Sequence, residues 1–525
     1  MFELLNLISW QQFRIKTEGM MMHPGLTDAW VTLVVIAMSL IVLWSLVGRS
    51  GQAVSRNYSL SNFPVLGAVL QKMVSQPWVL LGIRLVFVAI FLLVIISGLF
   101  GTPVPERNLA TTLTWTLWWT GLIISIYFVG SAWCAVCPWD VLGTWLVRFR
   151  LWRRARQTSS LQLKVPKALR NVWPATAMFI ILTWLELGYG MTSSPYATAI
   201  LSLVVIVLVV MSQVVYERKA FCRYFCSVGR TIGFYSSLAP VALRPVDDSI
   251  CASCKTLECY HGTNEIEPCP TNLVLGRIKQ NTFCTSCGAC SQSCPYQNVN
   301  WGVRKTGEEA IRFLRPHWDE AWFIMVLLSL TSFHGLTMLP AWEQWVSQLA
   351  QGIGDSGQLL WSFTTGMLLS VFIPVTIFAI VIWMLQKCLT TQFEFKRLFS
   401  LLALPFIPLA FAYHLAHNLN HLFRESRGMS EVFMNPMGSN SLPLSQHEIH
   451  LRHMSPLISQ EVIFALQAGL MIFGFWLAAR ILHFRLADIT QRLDKRILSS
   501  SIMILIIIVS LINTWLLMQP MIMRM

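Results

Sequence analysis

The chain has 525 residues, 55% of them hydrophobic and only 12% charged, with a formal net charge of +14. Soluble globular domains carry about 25% charged residues, so this composition, with a mean hydropathy of +0.57, excludes an ordinary soluble protein and makes lipid the solvent. The basic residues lie in short stretches beside apolar segments, as topology signals do, which argues against a nucleic-acid surface.

In chain order, apolar stretches able to cross about 30 Å of hydrocarbon fall at 30–48, 78–100, 110–130, 170–190, 196–216, 319–340, 358–386, 399–422, 457–483 and 499–519. The first starts near Trp30 without a cleavage-site pattern, so it is expected to remain as an anchor. Alternate loops are basic. Arg49, Arg56 and Lys72 lie in 49–77, and Arg148, Arg150, Arg153, Arg154, Arg156, Lys164 and Lys167 in 131–169. The 217–318 segment opens with Arg218, Lys219, Arg223 and Arg230, and 387–398 and 484–498 are also basic. The intervening loops are neutral or balanced. Basic loops stay in the cytoplasm, so both termini are expected outside and 217–318 inside. The expected fold is an all-α polytopic protein of a bacterial cytoplasmic membrane, with about ten spans and a small α+β insertion. The domains are 1–230 with five spans, 231–318, and 319–525 with four or five spans.

Twelve of the thirteen cysteines lie between Cys134 and Cys294 in metal-ligand spacings, which favours ligation in a reducing compartment over disulfides. Cys284, Cys287, Cys290 and Cys294-Pro295 read C-x2-C-x2-C-x3-C-P, the bacterial iron–sulfur run, whose fourth cysteine ligates the other cluster of a pair. A second run is therefore expected, and Cys251, Cys254, Cys259 and Cys269-Pro270 supply it with longer final gaps. By the crossing rule one [4Fe–4S] cluster takes Cys251, Cys254, Cys259 and Cys294, and the other takes Cys284, Cys287, Cys290 and Cys269. Paired C-x2-C sites also suit zinc, and the irregular first run leaves a three-iron centre or a replaced Cys259 open.

Cys134 and Cys137-Pro138 follow the third span, and Cys222 and Cys226 follow the fifth, on the same predicted side as the insertion. Four thiolates suffice for a third cluster or a tetrahedral metal. They also suit a thiol redox pair, or buried structural thiols. In this order of elements, residues 78–318 resemble the NapH/NosR/CcoG (FixG) group of membrane polyferredoxins. That resemblance implies 4Fe–4S binding and a role in electron transfer or metalloenzyme maturation in bacterial respiration. Two departures stand out: the first pair has two intervening residues where the group usually has three, and Ser227 follows Cys226 where proline is usual.

His414, His417 and His421 share one narrow helical face near the outer end of the eighth span, and His334 lies at similar depth. Ionisable residues inside a membrane are functional candidates. Haem b with His334 as partner, a copper ion helped by methionines, and a quinone site with histidine as proton acceptor all fit. So do interfacial histidines bonded to backbone, water, Asn418 or Asn420. Arg84 and Glu461 lie close enough to span ends to snorkel or cap, Glu186 sits near the outside, and the sequence assigns them nothing further. The expected function is relay of electrons between a cytoplasmic or quinone-pool partner and a respiratory or periplasmic redox system. The alternative is an assembly factor that reduces a metal ion such as copper.

Overall fold

The computed structural model describes residues 9–14, 23–47, 58–59, 67, 69, 72–73, 76–149, 159–355, 359–390, 393–487 and 491–522. The basic residues Arg49, Arg56, Arg150, Arg153, Arg154 and Arg156 lie outside the described residues. The long helices are α1 (Asp28–Val47), α2 (Pro77–Phe100), α3 (Leu109–Val129), α4 (Trp173–Leu187), α5 (Pro195–Val215), α6 (Trp318–Leu336), α7 (Pro340–Ile353), α8 (Leu360–Cys388), α9 (Phe395–Glu425), α10 (Gln460–Arg485) and α11 (Arg492–Met518).

Local chemistry explains several starts. Pro77, Pro195 and Pro340 open α2, α5 and α7 at the position where a missing N–H costs nothing. Ser194 accepts from the Ala197 N–H at 3.2 Å, and Asn108 accepts from the Ala110 N–H at 2.9 Å to cap α3.

Among the described residues eight helices are long and apolar enough to cross a membrane, or nine if α6 and α7 form one broken span, where the sequence suggested about ten. The 170–190 window contracts to the 15 residues of α4, about 22 Å long at the helical rise per residue. At its start the Val172 N–H is taken by Asp319 Oδ2 at 2.6 Å. At its end lie Gly188 and then Gly190, whose φ of 73° suits only a residue without a Cβ. The 319–340 window stops at Leu336 because Pro340 starts a new helix, bent by 99° from the first.

α9 is the axis of the membrane domain, with 89% of its most apolar window buried. It packs on α3, α6, α10 and α11. The approach to α10 is close: a Cβ on Gly474 would lie 2.5 Å from the Ala412 Cβ, the small-residue crossing of membrane helices. On the periphery, α2 exposes Leu85, Val86, Ile90 and Ile96, and α8 exposes Ile373 and Ile377. Apolar exposure on this scale suits lipid.

Loops sort onto two faces. On one, the Thr102 N–H bonds the Met437 carbonyl at 2.7 Å, Arg107 holds Glu448 at 2.7 Å, and the Ile522 N–H bonds the Met338 carbonyl at 2.9 Å. The segments entering α1 and leaving α11 also meet there, since the Leu26 N–H bonds the Leu517 carbonyl at 2.9 Å. On the opposite face lie residues 130–149, 159–172, 216–317, 389–390, 393–394, 486–487 and 491. There Arg148 pairs with Glu267 at 2.9 Å, and Arg485 Nε donates to the Ala310 carbonyl at 2.8 Å.

The 216–317 segment supplies β2 (Val241–Pro245) and β3 (Val299–Val303) of a small sheet, which β1 (Tyr58–Ser59) completes. β3 is central and antiparallel to both neighbours, with Leu243 opposite Trp301. All eight cysteines from Cys251 to Cys294 lie between β2 and β3. Leu243, Leu275 and Val299 form their small core, against which Cys259, Cys290 and Cys294 pack.

One buried ion-pair knot ties this segment down. Glu309 is fully buried, pairs with Arg304, lies 3.4 Å from Arg244, and accepts the Asn281 N–H at 2.5 Å. Arg304 also donates to the carbonyls of Ala239 and Ser236 at 3.0 and 2.8 Å. Glu309→Gln would leave two guanidiniums without their counter-charge. Removal of one partner of a buried pair costs about 3–5 kcal/mol. A clear fall in the unfolding temperature of the full chain in detergent is expected, and an unchanged temperature would contradict the knot.

Candidate functional site

The cysteine runs fold as a succession of tight turns. Cys254 and Cys294 each follow a short helix and turn to extended backbone, which lets successive thiols face a common centre. Cys251, Cys254, Cys259 and Cys294 line one cavity of about 30 Å³ together with Leu257, Leu275 and Asn298. The grouping joins three cysteines of the first run to the last cysteine of the second. Gly276 makes room beside it, because a Cβ there would lie 2.3 Å from the Cys251 Cβ. Asn298 Nδ2 donates to Cys251 Sγ at 3.4 Å.

Cys269 falls with the other group. Cys284 is within electrostatic reach of Cys287 and Cys269, and Cys290 of Cys287, Cys284 and Cys269. The Leu273 N–H donates to Cys269 Sγ at 3.3 Å and the Ser286 N–H to Cys284 Sγ at 3.4 Å. The two groups adjoin, since Cys259 lies within reach of both Cys269 and Cys290.

The membrane-edge cysteines form a third group. Cys134, Cys137, Cys222 and Cys226 all line a single cavity of about 150 Å³, which Cys284 also borders. Short helices set them there. Cys137 precedes Pro138 at the start of one helix, Cys222 sits in a π-helical turn over Phe221–Phe225, and Cys226 precedes the helix Ser227–Ser236. The Gly229 N–H donates to Cys226 Sγ at 3.2 Å. Burial pushes the thiols of Cys137 and Cys284 up to about 12, and raises those of Cys134 and Cys222 well above the usual range. Burial thus favours the neutral thiol at all four edge cysteines.

Two residues that sequence reasoning passed over complete this third group. Arg230 is 2% exposed, and among the described residues no carboxylate lies within ion-pair distance of it. Its Nη atoms donate to the carbonyls of Thr282 (3.0 Å) and Cys222 (3.2 Å), and its Nε has no partner. Desolvation penalises such a cation, and Cys226, the buried carboxylate of Glu320 and Cys134 are the nearby groups that favour its charge. Asp140, paired with Lys219, lies 3.5 Å from Cys222 Sγ. Both were detectable as i+3 or i+4 neighbours of cysteines on helices: Asp140 after Cys137, and Arg230 after Cys226.

Among the described residues no three His, Cys, Asp or Glu side chains converge on a point that a single ion would fill.

Away from the cysteines the 150 Å³ cavity is walled by tryptophan. The rings of Trp133, Trp139 and Trp119 lie 5.7, 5.5 and 5.7 Å from that of Trp118. Trp115 and Trp118 come from a π-helical turn, Thr112–Trp118, within α3. π-turns inside helices recur at functional sites because they re-aim side chains. The far end reaches Glu186, which also borders a second cavity of about 140 Å³ containing His334, His421 and Glu425.

The histidine candidates separate into different environments. His334 Nε2 meets Glu186 Oε1 at 3.2 Å, and His421 Nδ1 meets Glu425 Oε1 at 2.9 Å. His417 lies between them, its ring 5.2 Å from that of His334 and 5.0 Å from that of His421. Among the described residues neither of its nitrogens has a partner, although the residue is 2% exposed. His414 is occupied on both sides: the Trp119 indole donates to Nε2 at 3.1 Å, and the Tyr235 hydroxyl shares a hydrogen bond with Nδ1 at 3.2 Å. His414 is thus engaged by Trp119 and Tyr235 rather than by the other histidines.

No family model matches the chain, and no solved structure matches it. It is similar to the protein described as "Putative electron transport protein YccM" from Escherichia coli (strain K12), with 28% identity over 127 residues. That match covers 24% of this chain and 32% of the relative, so the chain spans about a third of the length of the curated protein it matches.

Proposed function

We propose that this chain is an integral-membrane electron carrier of the polyferredoxin type, moving electrons between a cytoplasmic partner and a lipophilic carrier of the quinone class. The observation that carries the reading is the contiguity of three cysteine groups. Cys251/254/259/294 adjoins Cys269/284/287/290, and Cys284 borders the cavity holding Cys134/137/222/226. The similarity to a protein described as an electron transport protein supports the same class.

Each group supplies the four thiolates that a [4Fe–4S] cluster needs, and such a cluster would supply one-electron exchange when bound. The protein's residues do the rest. Backbone and Asn298 N–H groups donate to Cys251, Cys269, Cys284 and Cys226, and such bonds raise reduction potential by stabilising added charge. Arg230 does the same for the third group through its buried positive charge. The tryptophan walls exclude water and offer a flat apolar slot open to one further group. Reduction of a quinone takes up two protons with its two electrons, and oxidation of a quinol releases them. The Glu186–His334 contact places a carboxylate and an imidazole at the far end of the slot to exchange those protons with the second cavity. The orientation follows from the basic loops: the cysteine face is cytoplasmic, and the face of Arg107 and Glu448 is outside.

Metal analysis and EPR of anaerobically purified chain test the reading. About four irons per group, about twelve per chain, are expected. Stoichiometric zinc with little iron would overturn it, and about eight irons would confine the clusters to the insertion.

A further inference from the structure

A third cavity lies apart from the electron path described above. It occupies about 110 Å³ between the start of α2, the end of the helix Pro138–Arg148 and the cysteine segment. Four cationic side chains border it: Arg84, Arg148, Arg218 and Lys219. Two of the four are already balanced, Arg148 by Glu267 at 2.9 Å and Lys219 by Asp140. Arg84 and Arg218 are not: among the described residues, neither has a carboxylate within ion-pair distance. Arg84 donates through Nε to the Ala135 carbonyl at 2.9 Å. Arg218 donates through Nη1 to the carbonyls of Tyr260 and Cys269 at 3.2 and 2.7 Å, and stacks on the Tyr260 ring at 4.6 Å. Those bonds fix both guanidiniums in orientation without neutralising them. Arg218 sits at φ 56°, a left-handed backbone that a non-glycine residue adopts only under tertiary constraint.

The rim of the cavity has a different character. Pro77 and Leu80 line it from α2. Beside them Trp78 is 63% exposed, and the rest of α2 presents bare aliphatic side chains. An indole at the end of a lipid-facing helix marks the headgroup level. The cavity thus joins two anchored guanidiniums, neither in an ion pair among the described residues, to an apolar flank at membrane depth. Guanidiniums bind phosphate oxygens through paired N–H donors.

We propose that this cavity binds a phosphate-bearing anion, the headgroup of an anionic phospholipid, through Arg84 and Arg218. The apolar flank favours a lipid over free phosphate, because the acyl chains of a bound lipid would lie along the exposed side of α2. Cys287 also borders the cavity, and both Arg84 and Lys219 act electrostatically on it. The bound headgroup therefore places negative charge beside the Cys269/284/287/290 group and lowers the reduction potential of its centre. This last consequence rests on the proposed function; the binding itself does not.

The test uses the full chain reconstituted in nanodiscs of phosphatidylcholine alone, or of phosphatidylcholine with phosphatidylglycerol, followed by native mass spectrometry. Wild type is expected to retain phosphatidylglycerol in preference to phosphatidylcholine, and the Arg84→Gln/Arg218→Gln variant to retain it about tenfold less. Equal retention of the two lipids by wild type overturns the proposal, and that comparison needs no variant. Equal retention of phosphatidylglycerol by variant and wild type also overturns it. Inorganic phosphate added to phosphatidylcholine discs forms a separate arm. Saturable phosphate binding by wild type but not the variant, without lipid preference, assigns the cavity to the free ion and overturns the lipid source. Potentiometric EPR supplies the second readout. A lower midpoint in phosphatidylglycerol discs, for one centre only and absent in the variant, is expected. Lipid retention without any iron signal leaves the binding site standing and overturns the electron-carrier reading.

Discussion

Cys294→Ala is expected to abolish the centre held by Cys251, Cys254 and Cys259, although Cys294 lies in the run that begins at Cys284. The reason is spatial. Cys294 shares a cavity with the first-run cysteines, while Cys269 lies within reach of Cys284 and Cys290. Cys294 is followed by Pro295, and its own backbone leaves the short helix in an extended conformation. The measurement is iron content with EPR on the anaerobically purified variant. Iron should fall by about four per chain. The signal that remains should respond to Cys284→Ala and not to Cys251→Ala. Loss confined to the Cys284 side would contradict the exchange of last cysteines. The reciprocal variant, Cys269→Ala, should remove the other centre. A single-run arrangement cannot produce this crossed pattern, so the pair separates the two geometries even if one variant is poorly stable.

The expectation of a crossing rests on spacing alone. Three close cysteines can face one centre, and a fourth followed by proline is turned out of the set. The edge pairs were legible only as pairs. Their convergence on one cavity depends on how α3 and α5 deliver their ends, and no local spacing encodes that. Arg230 and Asp140 were read as topology charges, yet both sit one helical turn from a cysteine. The histidines were read as one face, and its members part company through long-range partners. His414 turns to Trp119 and Tyr235, whereas His334 finds Glu186 on another helix. Glu186 looked like a residue near a span end because its own helix is short. Its position at the junction of two cavities comes from packing between α3, α4, α6 and α9. The span count failed for a related reason. Hydropathy windows register apolar composition, and neither the bend before Pro340 nor the glycines after Leu187 interrupts that composition enough to show.

The Cys134→Ser/Cys226→Ser variant is expected to separate the cysteine segment from the membrane cavity without disturbing the segment itself. These two residues belong to the third group, and Cys226 is also the cap whose sulfur accepts the Gly229 N–H. Serine keeps an acceptor there, so the Ser227–Ser236 helix retains its start. Serine does not replace a thiolate as a soft metal ligand. EPR should therefore still show the two centres of the insertion, which reports that the fold has survived. Reduced chain mixed with a short-chain quinone should transfer electrons at least about a hundredfold more slowly than wild type, because the remaining gap is bridged by no centre. Electron exchange with a soluble dye at the cysteine segment should be unchanged. Equal quinone rates in variant and wild type would mean that electrons leave the insertion by another route and that the third group is structural. A companion substitution sharpens the outcome. Arg230→Gln removes the buried cation while leaving all four thiols in place, and the third centre should then form with a lower reduction potential. A loss of the centre in the cysteine variant and a shifted potential in the arginine variant together would place Arg230 as the counter-charge that sets how easily this last step toward the membrane is reduced.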